Sequence, residues 1–263
     1  MTVSPIMLLQ GAGMVAVGIA FVLYWRLSKR ISIAPFLIGA IAWFVTVSLK
    51  LGFALLLNNR IQHLLSGALR PSVADPLFWL YIGLLTGVFE CGLLLTLWRR
   101  IRTYDFNTAV AFGIGFGAIE AVMLGISSLT VVALAIAAPA LLPKQIVESL
   151  AVSAWMIPAP IVERIVAVIA HIFSCVLIIR GAGRNRLGYF WIAFAYKSLI
   201  DAVAAWAQLG FKANTTSQIW TVEGIVFLFG IVGFLGLIWL SRGQQTNEIA
   251  PGTGSKPSSA HVA

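Results

Sequence analysis

The stretch GIGFGAIEAVMLG, residues 113–125, places a single carboxylate, Glu120, in the middle of an apolar and glycine-rich run. Residues 108–138 around it are apolar and longer than the roughly 20 residues that a helix needs to cross a membrane. Gly113, Gly117 and Ala121, four residues apart, predict a flat face on which a second helix packs closely. A carboxylate at membrane depth is costly unless it faces protein or a polar cavity. The stretch therefore predicts a membrane helix bundle with an internal polar site.

The composition of the whole chain agrees with this interpretation. Hydrophobic residues make up 60% of the 263 residues and charged residues 10%, whereas a soluble domain carries roughly 25% charged residues. We predict an all-α bundle of seven spans, at residues 6–25, 31–57, 77–98, 108–138, 160–179, 187–209 and 218–241. Residues 1–243 then form one membrane domain, and the polar residues 244–263 a disordered tail. The amphipathic stretch IQHLLSGAL, residues 61–69, is expected in a loop along the outer interface.

The net charge of +9 comes from basic residues that cluster just outside the apolar segments. Of 18 Lys and Arg residues, 11 fall on the side of the predicted C-terminus and four on the opposite side. Such an excess marks the cytoplasmic side, so we expect the N-terminus on the outer side of the membrane. The membrane itself is expected to be the cell membrane, which in bacteria is the inner membrane. The basic runs predict contact with acidic lipid headgroups rather than with nucleic acid.

Ionisable residues lie at membrane depth in four different spans. Glu90, Glu120, His171 and Asp201 occupy the third to sixth spans in that order. Such residues normally face the bundle interior and have partners, which predicts a shared polar cavity. Further groups in or near the spans are Lys50, Glu163, Arg164, Lys197 and Glu223.

The spacing within two spans suggests specific pairs. Glu163 and His171, eight residues apart, share one helix face, and Lys197 and Asp201, four residues apart, can form an ion pair within one helix. Purely structural interpretations also exist. Glu163 and Arg164 can form an ion pair that stabilises the start of a helix, and Lys50 can extend its side chain towards the membrane surface.

The motifs resemble those of a known family. The order GxGxGxxEAxxLG, ERxxAxxxH and LxD, found here at residues 113–125, 163–176 and 199–201, resembles the YhfC-type intramembrane metalloproteases. These belong to the CAAX-protease-like (CPBP) intramembrane peptidases. Residues 88–92, VFECG, resemble the FEECGR-like segment of that family.

The resemblance implies hydrolysis of a peptide bond inside the membrane. Glu90 or Glu120 would activate water as a general base, and His171 would bind a metal or stabilise the oxyanion. Glu163, Arg164 and Lys197 would support this site. Whether such enzymes use a metal or act as glutamate peptidases is left open by the resemblance.

Several family positions are substituted in this chain. Phe89 stands where the family has the first glutamate of the pair, and Leu93 stands where it has the following arginine. Phe116 and Lys197 occupy two positions at which the family has histidine. One interpretation is an oxygen-rich site for a divalent metal such as zinc, made by His171, Glu120 and Asp201. The other is that the ammonium of Lys197 replaces the charge of the metal.

Three functions are consistent with these observations. The first is an intramembrane peptidase, a hydrolase that acts on membrane-associated protein or peptide substrates. The second is a pseudoenzyme, which binds a membrane protein or peptide in the same cavity as a scaffold or regulator. The third is a proton-coupled transporter, which the absence of an evident internal repeat disfavours.

Overall fold

The computed structural model describes residues 3–101, 105–150, 154–212 and 215–248, and within these ranges the secondary structure is entirely helical. Seven helical segments in the described part are long and apolar enough to cross a membrane: Pro5–Lys29, Ala34–Ala68, Pro71–Arg99, Phe106–Ala137, Pro158–Gly183, Leu187–Phe211 and Thr216–Arg242. The predicted seven-span helix bundle is thereby confirmed.

The described residues form nine α-helices, and all except the short helix Lys144–Leu150 contribute to these spans. They are α1 (Leu8–Lys29), α2 (Ala34–Ala68), α3 (Pro71–Thr86), α4 (Leu93–Ile101), α5 (Phe106–Ala137), α6 (Lys144–Leu150), α7 (Pro158–Gly183), α8 (Leu187–Ala205) and α9 (Thr216–Glu248). Two π-helical segments interrupt this pattern: Gly87–Gly92 joins α3 to α4, and Trp206–Phe211 continues α8. Short 3-10 turns lie at Pro5–Met7, Pro139–Leu141 and Ala154–Met156.

Local sequence explains several helix boundaries. Pro71 and Pro158 stand at the first positions of α3 and α7, where the missing N–H of proline costs nothing. Asp105 caps α5, since its side chain accepts a hydrogen bond from the Thr108 N–H at 2.8 Å. Arg30 ends α1 in the left-handed conformation, with φ of 51°.

Two boundaries differ from the prediction. The expected interfacial loop around residues 61–69 is wrong, because α2 continues without a break to Ala68 and α3 begins at Pro71. The loss of hydrophobicity after residue 57 marks the end of the apolar segment and not the end of the helix. At the other terminus α9 extends to Glu248, and residues 249–263 of the predicted tail lie outside the described residues.

Helices α5 and α7 form the centre of the bundle. α5 packs against α1, α2 and α7, and α7 also packs against α8 and α9. A Cβ built on Gly113 would lie 2.7 Å from the Cα of Ile172, and one on Gly117 would lie 2.9 Å from the Cα of Val168. The predicted glycine face of α5 is therefore the contact with α7. This contact brings Glu120 of α5 against His171 of α7.

Candidate functional site

A cavity of about 890 Å³ lies between α2, α3, α5, α7, α8 and α9. Its volume is in the range of ligand sites, roughly 300–1,000 Å³. The residues predicted for the site all line it: Glu90, Glu120, Glu163, Arg164, His171, Lys197 and Asp201. Lys50 lines it as well. The charged side chains of five helical spans therefore meet in one place.

The first group of contacts surrounds Glu120. Trp43 donates its indole N–H to Oε2 at 3.0 Å, and Nε2 of His171 lies 2.8 Å from the same oxygen. Arg164 donates to Oε1 of Glu120 through one terminal nitrogen and to Glu163 through the other. Both oxygens of Glu120 are thus engaged by donors.

The second group surrounds Glu90. Nζ of Lys50 lies 2.7 Å from Oε1 of Glu90, and Nζ of Lys197 lies 3.2 Å from Oε2. Lys50 also lies 3.6 Å from Oδ2 of Asp201, which accepts a hydrogen bond from the hydroxyl of Thr86. Lys50 therefore belongs to the site and does not extend to the membrane surface.

Lys197 has a different partner from the one that its spacing suggests. Its ammonium pairs with Glu90 of the third span. The predicted ion pair with Asp201 does not form, because the two charged groups are more than 4 Å apart and Asp201 lies beside Lys50 instead. Nζ of Lys197 lies 3.4 Å from Nε2 and 3.5 Å from Nδ1 of His171. Lys197 consequently contacts both Glu90 and His171.

The π-helical segment Gly87–Gly92 sets the position of Glu90. Single π-helical turns within an α-helix, also called π-bulges, often occur at functional sites. Within this one, Val88 is 52% exposed, whereas Glu90 is 4% exposed and Cys91 is buried. A Cβ on Gly83 would lie 2.1 Å from the carbonyl oxygen of Ser198. Glycine therefore lets the third span approach α8 closely enough for Glu90 to reach Lys197.

Sequence reasoning missed Trp43 and Thr86 and misjudged Lys50. The sequence does contain a pattern that indicates Trp43 and Lys50. Together with Val47 they follow the four- and three-residue spacing of one helix face. All three line the cavity. The partnership of Thr86 with Asp201 joins different spans, and no local pattern reveals it.

Two positions at which the family resemblance implies a glutamate and a histidine, residues 89 and 116, hold phenylalanine rings. The ring of Phe116 is buried with its centroid 5.1 Å from that of His171. The ring of Phe89 lies 5.4 Å from that of Phe53 on α2. Phenylalanine can neither bind a metal nor transfer a proton, so these positions contribute packing alone.

The residues present do not fit a metal ion. Within the described residues, no three His, Cys, Asp or Glu side chains are grouped in a way that could hold one. The predicted set is divided, with Glu120 bound by Arg164 and Asp201 beside Lys50. Because the Glu120 carboxylate accepts, Nε2 of His171 is the donor and only Nδ1 keeps a lone pair, and the ammonium of Lys197 lies 3.5 Å from Nδ1. A divalent ion would also meet the ammonium groups of Lys50 and Lys197.

Comparison with known proteins identifies the family. The model of the family described as YhfC intramembrane metalloprotease matches residues 13–226, which include every predicted site residue. No curated protein and no solved structure matches the chain. With seven membrane-spanning helices and a match over most of its length, the chain is a multi-pass membrane protein that belongs to the YhfC intramembrane metalloprotease family.

Proposed function

We propose that this family member binds a short peptide segment of a membrane protein in the cavity and does so without a metal ion. The observation that carries the proposal is that Lys50, Arg164 and Lys197 lie among the carboxylates. All three of these cations are side chains of the protein itself. The positive charge that a metallopeptidase takes from its metal is therefore already present.

The carboxylate of Glu120 is poorly placed for water activation. A general base needs a free oxygen within hydrogen-bond reach of the attacking water. Oε1 of Glu120 faces Arg164, and Oε2 accepts from Trp43 and contacts His171. Glu90 is held between the ammonium groups of Lys50 and Lys197, and its Oε2 accepts no hydrogen bond from the described residues. These contacts favour holding a ligand over cleaving it.

The size and lining of the cavity suit a short peptide segment. A helix is about 10 Å wide, and a membrane-spanning one is about 30 Å long, so a whole span is too large for about 890 Å³. The lining includes a set of amide side chains: Asn58, Asn59, Gln62 and Gln208. Amides both donate and accept hydrogen bonds, which matches an unpaired peptide backbone.

Peptide hydrolysis is the second candidate, and the 2.8 Å contact between His171 and Glu120 favours it. In this version Glu120 would orient His171, which would activate water, and Arg164 or Lys197 would stabilise the oxyanion. This is the intramembrane peptidase activity that the family resemblance implies, carried out by a glutamate–histidine pair.

One crosslinking experiment tests binding and separates the two candidates. A photoreactive amino acid is placed at Ile82, which lines the cavity, or at Leu80 on the same helix, which is exposed and outside it. The purified protein in lipid nanodiscs is irradiated with a synthetic peptide that carries one apolar span and a short polar end. We expect an intact peptide crosslinked from position 82 and not from position 80.

The other outcomes are equally specific. Equal crosslinking from positions 82 and 80 would show contact through lipid only and would refute binding in the cavity. A crosslinked or released fragment that disappears in His171→Ala would establish the hydrolytic candidate in place of simple binding.

A further inference from the structure

Glu223 of α9 is a buried carboxylate with an unsatisfied oxygen among the residues that the structure describes. Glu223 is 9% exposed, and its Oε2 has no hydrogen-bond partner among the described residues. Glu223 lines a side cavity of about 280 Å³. Gln208 lines both this side cavity and the main one, so the two lie next to each other. A buried acceptor that lacks a donor is costly, which makes such an atom a candidate ligand contact.

The charges around Glu223 do not balance. Among the described residues, the carboxylate of Glu163 repels that of Glu223, and the guanidinium of Arg164 attracts it. Both terminal nitrogens of Arg164 are already engaged, one by Glu120 and one by Glu163. This part of the cavity therefore has one cation for three carboxylates. Around Glu90, by contrast, two lysines face two carboxylates.

The nearby lysine does not correct this imbalance. Lys212 lines the same side cavity, but its side chain is exposed. Within the described ranges no ion pair shorter than 4 Å joins it to a carboxylate of the site. Glu163 lines the main cavity and Glu223 the adjoining side cavity, so a positive group from outside the chain that binds where the two cavities meet would offset this excess of negative charge.

We propose that Glu163 and Glu223 form a subsite for a positively charged group on the bound peptide. This proposal rests on the peptide binding proposed above and names the chemistry of the ligand. An ammonium or guanidinium group would supply the missing donor to Glu223 and offset the local excess of negative charge. A neutral segment would leave that oxygen unsatisfied, which provides discrimination. The charge can come from the free amino terminus of a chain or from a lysine or arginine side chain.

Four forms of one synthetic membrane peptide test the proposal. The amino terminus is free or acetylated, and a lysine in the polar end is kept or replaced by norleucine. Binding of each fluorescent form to the protein in nanodiscs is measured by anisotropy. We expect the doubly neutral form to bind at least about tenfold more weakly than the best charged form. The two singly modified forms show whether the amino terminus or the side chain is recognised.

Matched variants connect the preference to the subsite. Glu223→Gln keeps the size of the side chain, and we expect it to abolish the preference for charge while the neutral form still binds. Glu148→Gln, at an exposed position on α6, should keep the preference. If Glu223→Gln lowers the melting temperature strongly, Glu163→Gln provides the same test at the more exposed acid.

Two results would overturn the proposal, and they can be told apart. Equal binding of all four peptides to the wild type would refute the cationic subsite and leave peptide binding intact. No binding of any form, together with no crosslink at position 82, would refute both.

Discussion

At the scale of single residues, Arg164 is the cation that two carboxylates of the site share. Its guanidinium contacts Glu120 through one nitrogen and Glu163 through the other, and its side chain is 8% exposed. Burial makes such a group costly when its partner is lost, since an uncompensated charge then remains. The stability of the site therefore depends on this arginine more than on any exposed basic residue.

Replacing Arg164 by glutamine should lower the stability of the protein by about 3–5 kcal/mol. The reason is that Glu120 and Glu163 lose their common cation. Thermal unfolding in detergent measures the change, with Arg60→Gln at an exposed position of α2 as the control, expected within about 0.5 kcal/mol of the wild type. The double variant Arg164→Gln with Glu120→Gln should recover part of the loss. A single variant as stable as the control would contradict the importance of this ion pair.

The site could be predicted from the sequence as a set of residues but not as a set of pairs. Charged residues at membrane depth are rare, so their presence alone indicated Glu90, Glu120, His171 and Asp201 as neighbours in one cavity. The partner of Lys197 was not predictable from spacing. Its side chain is long enough to reach the next helix, where the π-helical segment presents Glu90.

At the scale of elements, the contact between α2 and α5 depends on two glycines. A Cβ on Gly39 would lie 2.1 Å from the carbonyl oxygen of Phe112, and one on Gly115 would lie 2.0 Å from that of Phe36. Both obstacles are backbone atoms, which cannot move without separating the helices. This contact places Trp43 of α2 beside Glu120 of α5.

Gly39→Ala and Gly115→Ala should each destabilise the fold by about 1–3 kcal/mol, because the added methyl group overpacks the helix contact. Gly52→Ala is the matched control on α2, since nothing lies within 4 Å of its added Cβ. The control should be neutral or slightly stabilising, because alanine favours the helix by up to about 1 kcal/mol. Melting temperatures of the three variants provide the comparison. Equal effects at positions 39 and 52 would refute the close contact.

The spans were predictable and their exact lengths were not. Runs of apolar residues identify all seven, since a membrane requires them. Hydropathy fails where a helix continues beyond its apolar segment, as α2 does through residues 58–68. It also carries no information on the two π-helical segments, which depend on contacts between spans.

At the scale of the whole molecule, the distribution of basic residues predicts the orientation. Ser28 at the end of α1 should face the cytoplasm, and Ser72 at the start of α3 should face outside. A membrane-impermeant maleimide added to intact cells should label Ser72→Cys and should label Ser28→Cys only after permeabilisation. The native Cys91 and Cys175 are buried and serve as the unlabelled background. The reverse pattern would show that the N-terminus faces the cytoplasm.

Family membership and the chemistry of the site lead to different expectations for this molecule. The family description names a metalloprotease, whereas the cavity contains three cations of the chain among its carboxylates. The central claim is therefore that the site is complete without a metal.

The most direct test of this claim is the metal content of the purified wild-type protein and of His171→Ala, measured in parallel after incubation with zinc and removal of free ions. The account predicts far less than one equivalent of zinc or any other transition metal in both proteins. Close to one equivalent in the wild type, lost in His171→Ala, would contradict it and would establish a metal site at His171.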